Sequence, residues 1–218
     1  MGRRWSYSRW SKYNKCPASY EWDYLMGHPR KPPTPAMARG LDTHKKAENY
    51  VNGKITGLPD CLNKFSNEFK TLKKEYRLGN GFNELDVSYN SLYKRSNGER
   101  TDYYIGYVDY LHFDAHICTV IDYKTGRQYP EHREQAHSYA TACMLIEPMI
   151  EVVCAEFWYL DTGYGKRFEW ARKDVNKMQA LWDRRVSKMY SDKTFKKTPH
   201  KFCNWCNRNK KNGGDCGG

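Results

Sequence analysis

The sequence lacks any long apolar run. Its most hydrophobic stretch, Ala140 to Ala155, is interrupted by Glu147, Pro148 and Glu151, well short of the roughly 20 apolar residues a helix needs to cross a bilayer, so no membrane association is expected. The opening segment, MGRRWSYSRW, has no apolar stretch of the kind a secretory signal carries. A reducing, cytoplasmic setting is therefore expected, the host cytoplasm if the source is viral. No internal repeat is visible. Acidic side chains are in short supply: 25 Asp and Glu stand against 37 Lys and Arg, a formal net charge of +12. Such an excess implies an anionic partner, nucleic acid being the commonest, although charge alone does not distinguish this from a basic surface kept for solubility.

Packing residues are plentiful. The 218 residues include 18 Tyr and 7 Trp, with 15% aromatic and 39% hydrophobic side chains overall. A chain of this length and content can bury a substantial core and has little reason to stay disordered. Periodicity predicts two helical pieces between Trp5 and Leu25, broken at Cys16-Pro17. A proline-rich connector follows (His28 to Pro35), then a helix from Ala36 to Val51 with Gly40 and His44 on one face, and a further helix from Asp60 to Lys73. From Glu75 the period changes to two. EYRLG, FNELDVSYNS, DYYIGYVDYLHF and HICTVIDYKTG read as strands, followed by a helix over Glu131 to Ile146, a buried strand over Ile150 to Leu160 and a helix over Ala171 to Tyr190. The fold class is α/β, a mixed central sheet flanked by helices. The whole chain, 1–218, reads as one domain with an N-terminal helical segment (1–35), a core (36–190) and a basic, cysteine-rich tail (191–218).

Of eight cysteines, Cys118, Cys143 and Cys154 sit in apolar strings and read as small core residues. Cys61 shows no pairing pattern. Cys203-Asn-Trp-Cys206 is a C-x2-C pair, and Cys216 follows in a Gly-rich tail. A turn-forming tail has little reason to hold three thiols unless they ligate something. Cys16, before Pro17, is the best candidate for a fourth ligand. Zinc and an iron–sulfur cluster both fit four thiolates. The tail also interleaves lysines with Phe195, Phe202 and Trp205, a combination suited to a single strand of nucleic acid.

The segment from Ile105 to Lys124 carries the chemistry. With a turn centred on Ala115-His116, Asp109 and Asp122 lie directly opposite on paired strands, Cβ atoms about 5 Å apart. Like charges that close are unfavourable unless a hard cation such as Mg²⁺ lies between them. Period two puts Lys124 on the same face as Asp122 and turns Tyr123 away. Two carboxylates and an ammonium together can hold a divalent ion, activate water and stabilise charge on a phosphate.

Asp109 in Gly-Tyr-Val-Asp, Asp122-Tyr-Lys124, His44 after Gly40, and Gln135-Ala-His-Ser-Tyr139 resemble the PD-(D/E)XK nucleases. The early Cys16-Pro17 after Ser6-Tyr-Ser8 and the closing Cys203, Cys206 and Cys216 resemble the RecB-like iron–sulfur branch of that superfamily, which includes CRISPR-adaptation and phage exonucleases. The motifs run in family order from about residue 6 to residue 216. The resemblance implies a restriction-endonuclease-like core whose N- and C-terminal segments are joined by a four-cysteine site. It implies that His44, Asp109, Asp122 and the carbonyl of Tyr123 bind Mg²⁺ or Mn²⁺. Lys124 would orient or activate the attacking water, and Gln135 and Tyr139 would support the site or touch the DNA backbone. Glu75 occupies the place of an additional acid. Cys16, Cys203, Cys206 and Cys216 would hold a 4Fe-4S cluster, with Zn²⁺ as the alternative, although the nine residues between Cys206 and Cys216 exceed the spacing of the tighter family examples.

The expected function is a metal-dependent DNA exonuclease, with endonuclease activity possible in the family. It would act on single strands or duplex ends in phage- or CRISPR-type DNA processing, replication or recombination. The competing expectation is a non-catalytic nucleic-acid-binding protein organised by its cysteine metal site. Oligomerisation is not legible, although toroidal assemblies exist among the family's members.

Overall fold

The computed structural model describes residues 4–28, 31–96 and 102–217. Residues 29 and 30 of the proline-rich connector lie outside this set. The chain divides into two compact units, Arg3–Pro32 with Ala180–Gly218, and Pro33–Gln179.

The first unit contains α1 (Tyr7–Lys15) and α2 (Pro17–Tyr24). The Ser6 side chain accepts from the Arg9 N–H and caps α1, while Pro17, at the first position of α2, enforces the break at Cys16. Aromatics form the core. Trp5 stacks on Trp182 at 5.1 Å, Trp10 meets Trp182 edge-on at 5.0 Å, and the Arg185 guanidinium lies 4.5 Å over Trp10.

In the second unit α3 (Pro35–Val51) begins with Thr34 accepting from the Met37 N–H and buries Thr43, Ala47, Tyr50 and Val51, the spacing of one helical face. A 3₁₀ segment (Asp60–Phe65) leads into α4 (Ser66–Arg77). The strands β1 (Gly81–Asp86), β4 (Tyr107–Asp114), β5 (Ile117–Lys124), β6 (Val152–Tyr159) and β7 (Tyr164–Ala171) form one mixed sheet in the order β1-β4-β5-β6-β7. Only the β5–β6 pair is parallel, and its crossover is α5 (His132–Ile146). A small separate ladder joins β2 (Tyr89–Asn90) to β3 (Asp102–Tyr104). The last helix, α6 (Val175–Ser191), begins in this unit.

Alternate residues of β5 face opposite layers. Ile121 and Tyr123 join Tyr50, Val51, Leu62, Phe65, Phe69, Leu72 and Trp158 in a core under α3 and α4. Asp122 points the other way, to Gln135 and Tyr139 of α5. Helices on both faces explain why Cys118 to Tyr123 are buried without a break. Cys118, Cys143 and Cys154 are free thiols and buried.

Three expectations are corrected. EYRLG is no strand: α4 runs on to Arg77, because Phe69, Leu72 and Tyr76 continue its inward face. FNELDVSYNS and DYYIGYVDYLHF each split in two, β1 with β2 and β3 with β4. An additional strand, β7, precedes α6, whose start falls at Val175 rather than Ala171.

Candidate active site

The β4–β5 hairpin turns at Ala115, which has φ of 51°. Its register pairs Tyr110 with Ile121 and Asp114 with Ile117, and continuing that register by one step sets Asp109 opposite Asp122. On the other side of β4, Asn83 pairs with Tyr110 and Leu85 with Val108, so Glu84 stands opposite Asp109. Three carboxylates therefore form one row across β1, β4 and β5.

Helix α3 brings His44 to this row. A Cβ on Gly40 would lie only 3.3 Å from Thr125 Oγ1, so the glycine lets α3 lie close to the end of β5. One turn later His44 Nδ1 is 2.9 Å from Asp109 Oδ1, while Asp109 Oδ2 accepts the Tyr123 backbone N–H at 2.6 Å. Nitrogen of His44 and carboxylate oxygens of Glu84 and Asp109 all lie within 4.8 Å of one another. Burial alone would lower the His44 pKa, but the hydrogen bond to Asp109 and the Asp109 and Asp122 charges outweigh it and raise the pKa. Burial, then the Asp109 charge, raises the pKa of Glu84.

Asp122 is 5% exposed. Its Oδ2 accepts from Gln135 Nε2 at 3.0 Å and from the Tyr139 hydroxyl at 3.2 Å, and the same Gln135 amide donates to Tyr139 at 2.8 Å. Lys124 Nζ lies 2.5 Å from Oδ1, yet this oxygen makes no well-aligned hydrogen bond. Burial pushes the Asp122 pKa up and the Lys124 charge pulls against it, with the Asp109 charge adding to the rise. The Lys124 ammonium also sits 5.3 Å over the Phe157 ring.

These donors suit a hard divalent cation: one imidazole, several carboxylates, and a buried carboxylate oxygen with an acceptor position to spare. All the sequence candidates for this site, His44, Asp109, Asp122, Tyr123, Lys124, Gln135 and Tyr139, fall in this neighbourhood. Glu84 is the member that sequence reading missed. Glu75 is not the additional acid: it sits on α4 and accepts from Asn80 Nδ2 at 3.0 Å. Glu84 has φ of 47°, uncommon for a residue with a side chain and the kind of local cost that functional sites retain.

The other four candidates meet in the first unit. Cys16, Cys203, Cys206 and Cys216 line one cavity of about 180 Å³. Backbone N–H groups of Thr198 and His200 donate to the sulfurs of Cys16 and Cys203 at 3.4 and 3.2 Å, and the Ser19 hydroxyl is 3.3 Å from the Cys206 sulfur. Arg208 ties the strip together, contacting Glu21 at 2.6 Å, Asp215 at 2.7 Å and the Ala18 carbonyl at 3.0 Å.

The family model of the PD-(D/E)XK nuclease superfamily matches residues 4–210. The chain belongs to that superfamily, a family of nucleases whose chemistry is metal-dependent phosphodiester hydrolysis. Among solved structures, the crystal structure of SSO0001 is similar over 77% of this chain and 94% of that one, at 13% identity and a TM-score of 0.34. No curated protein matches. Among the described residues, no helix is long and apolar enough to cross a membrane.

Proposed function

We propose that this chain is a Mg²⁺- or Mn²⁺-dependent deoxyribonuclease that acts as an exonuclease on DNA ends or single strands. The observation that carries the reading is the buried Asp122 paired with the partly exposed Lys124, set in one row with Asp109 and Glu84 and capped by His44. His44, Glu84, Asp109, Asp122 and the Tyr123 carbonyl are the groups that would hold the ion. Once bound, a divalent ion there supplies Lewis acidity toward a phosphate oxygen and makes an attacking water more acidic.

The chain's own groups do the rest. Gln135 and Tyr139 fix Asp122 through Oδ2 and leave Oδ1 beside Lys124. The ammonium of Lys124 orients the attacking water and offsets charge building on the phosphate. The Tyr123 N–H holds the Asp109 carboxylate against the ladder. The preference for DNA ends and the phage or CRISPR setting rest on the sequence resemblance.

We assign the cysteine cavity to a structural 4Fe-4S cluster, with Zn²⁺ as the alternative. Backbone N–H donors aimed at thiolate sulfur support metal ligation. The choice of the cluster over Zn²⁺ rests on the sequence resemblance.

The test is cleavage of end-labelled single- and double-stranded DNA with Mg²⁺, Mn²⁺ or EDTA, beside Asp122→Asn. Metal-dependent cleavage that disappears in the variant is expected, shortening the strand from one end. Salt-sensitive binding with no turnover by folded protein would replace this reading with that of a non-catalytic nucleic-acid-binding protein.

A further inference from the structure

Helix α4 turns Phe69 and Leu72 to the core. Its outer surface carries Lys70, Lys73, Lys74 and Arg77, spaced i, i+3, i+4 and i+7, so the four cations share one stripe. Together with Tyr50 and Leu78 they line a surface cavity of about 320 Å³. Lys70, Lys74 and Arg77 are exposed, and among the described residues none of the three is paired with a carboxylate. Lys73 is held in place, donating to the Ile55 carbonyl at 3.0 Å with its ammonium 4.1 Å over the Tyr50 ring.

Like charges at these spacings repel and weaken a helix unless an anion sits across them. From Lys70 to Arg77 the helix rises about 10.5 Å, a length over which one strand of duplex DNA advances about three phosphates when measured along the duplex axis. Beside the four cations the cavity offers one exposed apolar side chain, Leu78, and a Tyr50 ring already covered by Lys73, so charge dominates what this surface can recognise.

We propose that the α4 stripe binds the phosphodiester backbone of a nucleic-acid strand, outside the carboxylate row, and holds a length of substrate beyond the scissile bond. Only the identity of the polyanion rests on the nuclease reading. Binding through the stripe requires neither the metal nor catalysis.

The experiment measures binding of the full-length protein to a fluorescent duplex and a fluorescent single strand in EDTA, across a salt series. Lys70→Ala/Lys74→Ala is compared with Lys173→Ala/Lys177→Ala, which changes the net charge equally at exposed positions outside α4. The stripe pair is expected to lower the slope of log affinity against log salt by about 1.8 on the duplex and about 1.4 on the single strand. The control pair should leave the slope near wild type. Cleavage of bis(p-nitrophenyl) phosphate, too small to reach the stripe, should proceed at the wild-type rate in both pairs.

Equal slopes for wild type and the stripe pair would overturn the proposal, even if DNA cleavage is intact. So would equal losses in both pairs, which would mean net charge alone. Loss of polyglutamate binding with DNA binding retained would overturn it in favour of an acidic protein. A lowered slope in a protein that never cleaves DNA would uphold the stripe and defeat the nuclease reading instead.

Discussion

The backbone N–H of Tyr123 donates to Oδ2 of Asp109 at 2.6 Å, so the strand that carries Asp122 and Lys124 also clamps the carboxylate of its neighbour. Oδ1 of the same Asp109 meets His44 at 2.9 Å. Asp109 is thus the joint between hairpin and helix. Asp109→Asn keeps the shape and one acceptor but loses the charge. It is expected to reduce cleavage by about a thousandfold or more while far-UV circular dichroism stays unchanged.

Glu84 and Glu75 make opposing predictions. Glu84→Gln should weaken Mn²⁺ binding, followed by calorimetry, and reduce turnover by about tenfold or more. Glu75→Gln should leave both at wild-type values, since its carboxylate accepts from Asn80 and belongs to α4 rather than to the carboxylate row. The reverse pattern would remove Glu84 from the site.

Tyr139→Phe deletes one donor to a buried carboxylate. Hydrogen bonds to charged groups contribute about 1.5–3 kcal/mol, so urea denaturation should report a loss of that order. Because Oδ2 keeps the Gln135 amide, Gln135→Ala combined with Tyr139→Phe should cost more activity than either change alone.

His44 gives a pH prediction with a definite sign. Its folded-state pKa is raised above the ordinary 6.5, so in metal-free protein the His44–Asp109 pair contributes its full stability below about pH 6.5. That contribution disappears as pH rises through the folded value. Thermal unfolding in EDTA should therefore show a pH-dependent component that His44→Gln removes. Divalent-ion affinity should move the other way, increasing with pH as the imidazole loses its proton.

In the first unit, Asp192 accepts from the Thr194 and Phe195 N–H groups and from the Tyr13 hydroxyl. Its pKa is lowered from 3.8 to about 2, led by the Thr194 backbone bond. The stability it supplies is complete above pH 3.8 and is lost as pH falls toward 2. Asp192→Asn should flatten that acid limb in a series of melting temperatures.

Much of the hairpin was legible in the sequence because period two and a turn at Ala115-His116 fix the register across Asp109 and Asp122 by counting alone. The Gly40–His44 spacing and the Gln135–Tyr139 turn were legible for the same reason, since a helix repeats on a known period. Glu84 was not. A strand reading assumes extended backbone throughout, and its left-handed φ is a tertiary outcome with no local signal. Glu75 was read as the extra acid from the resemblance, which places one ahead of the Gly-x-x-Asp strand, and EYRLG was read as a strand from its composition, a propensity that packing of Phe69, Leu72 and Tyr76 overrode. β7 was hidden by its polarity: Tyr164 to Arg167 are all exposed at the sheet edge, where no apolar alternation is required.

The first unit also bears on the order of synthesis. Its cavity needs Cys16 from near the start of the chain and Cys216 from some two hundred residues later, with the whole Pro33–Gln179 unit made in between. A ribosome finishes that middle unit while α1 and α2 still wait for α6 and the cysteine strip. The nuclease core can therefore fold during translation, whereas the cysteine cavity closes only after Cys216 has emerged, making its assembly a late checkpoint on whether the chain was read to that point.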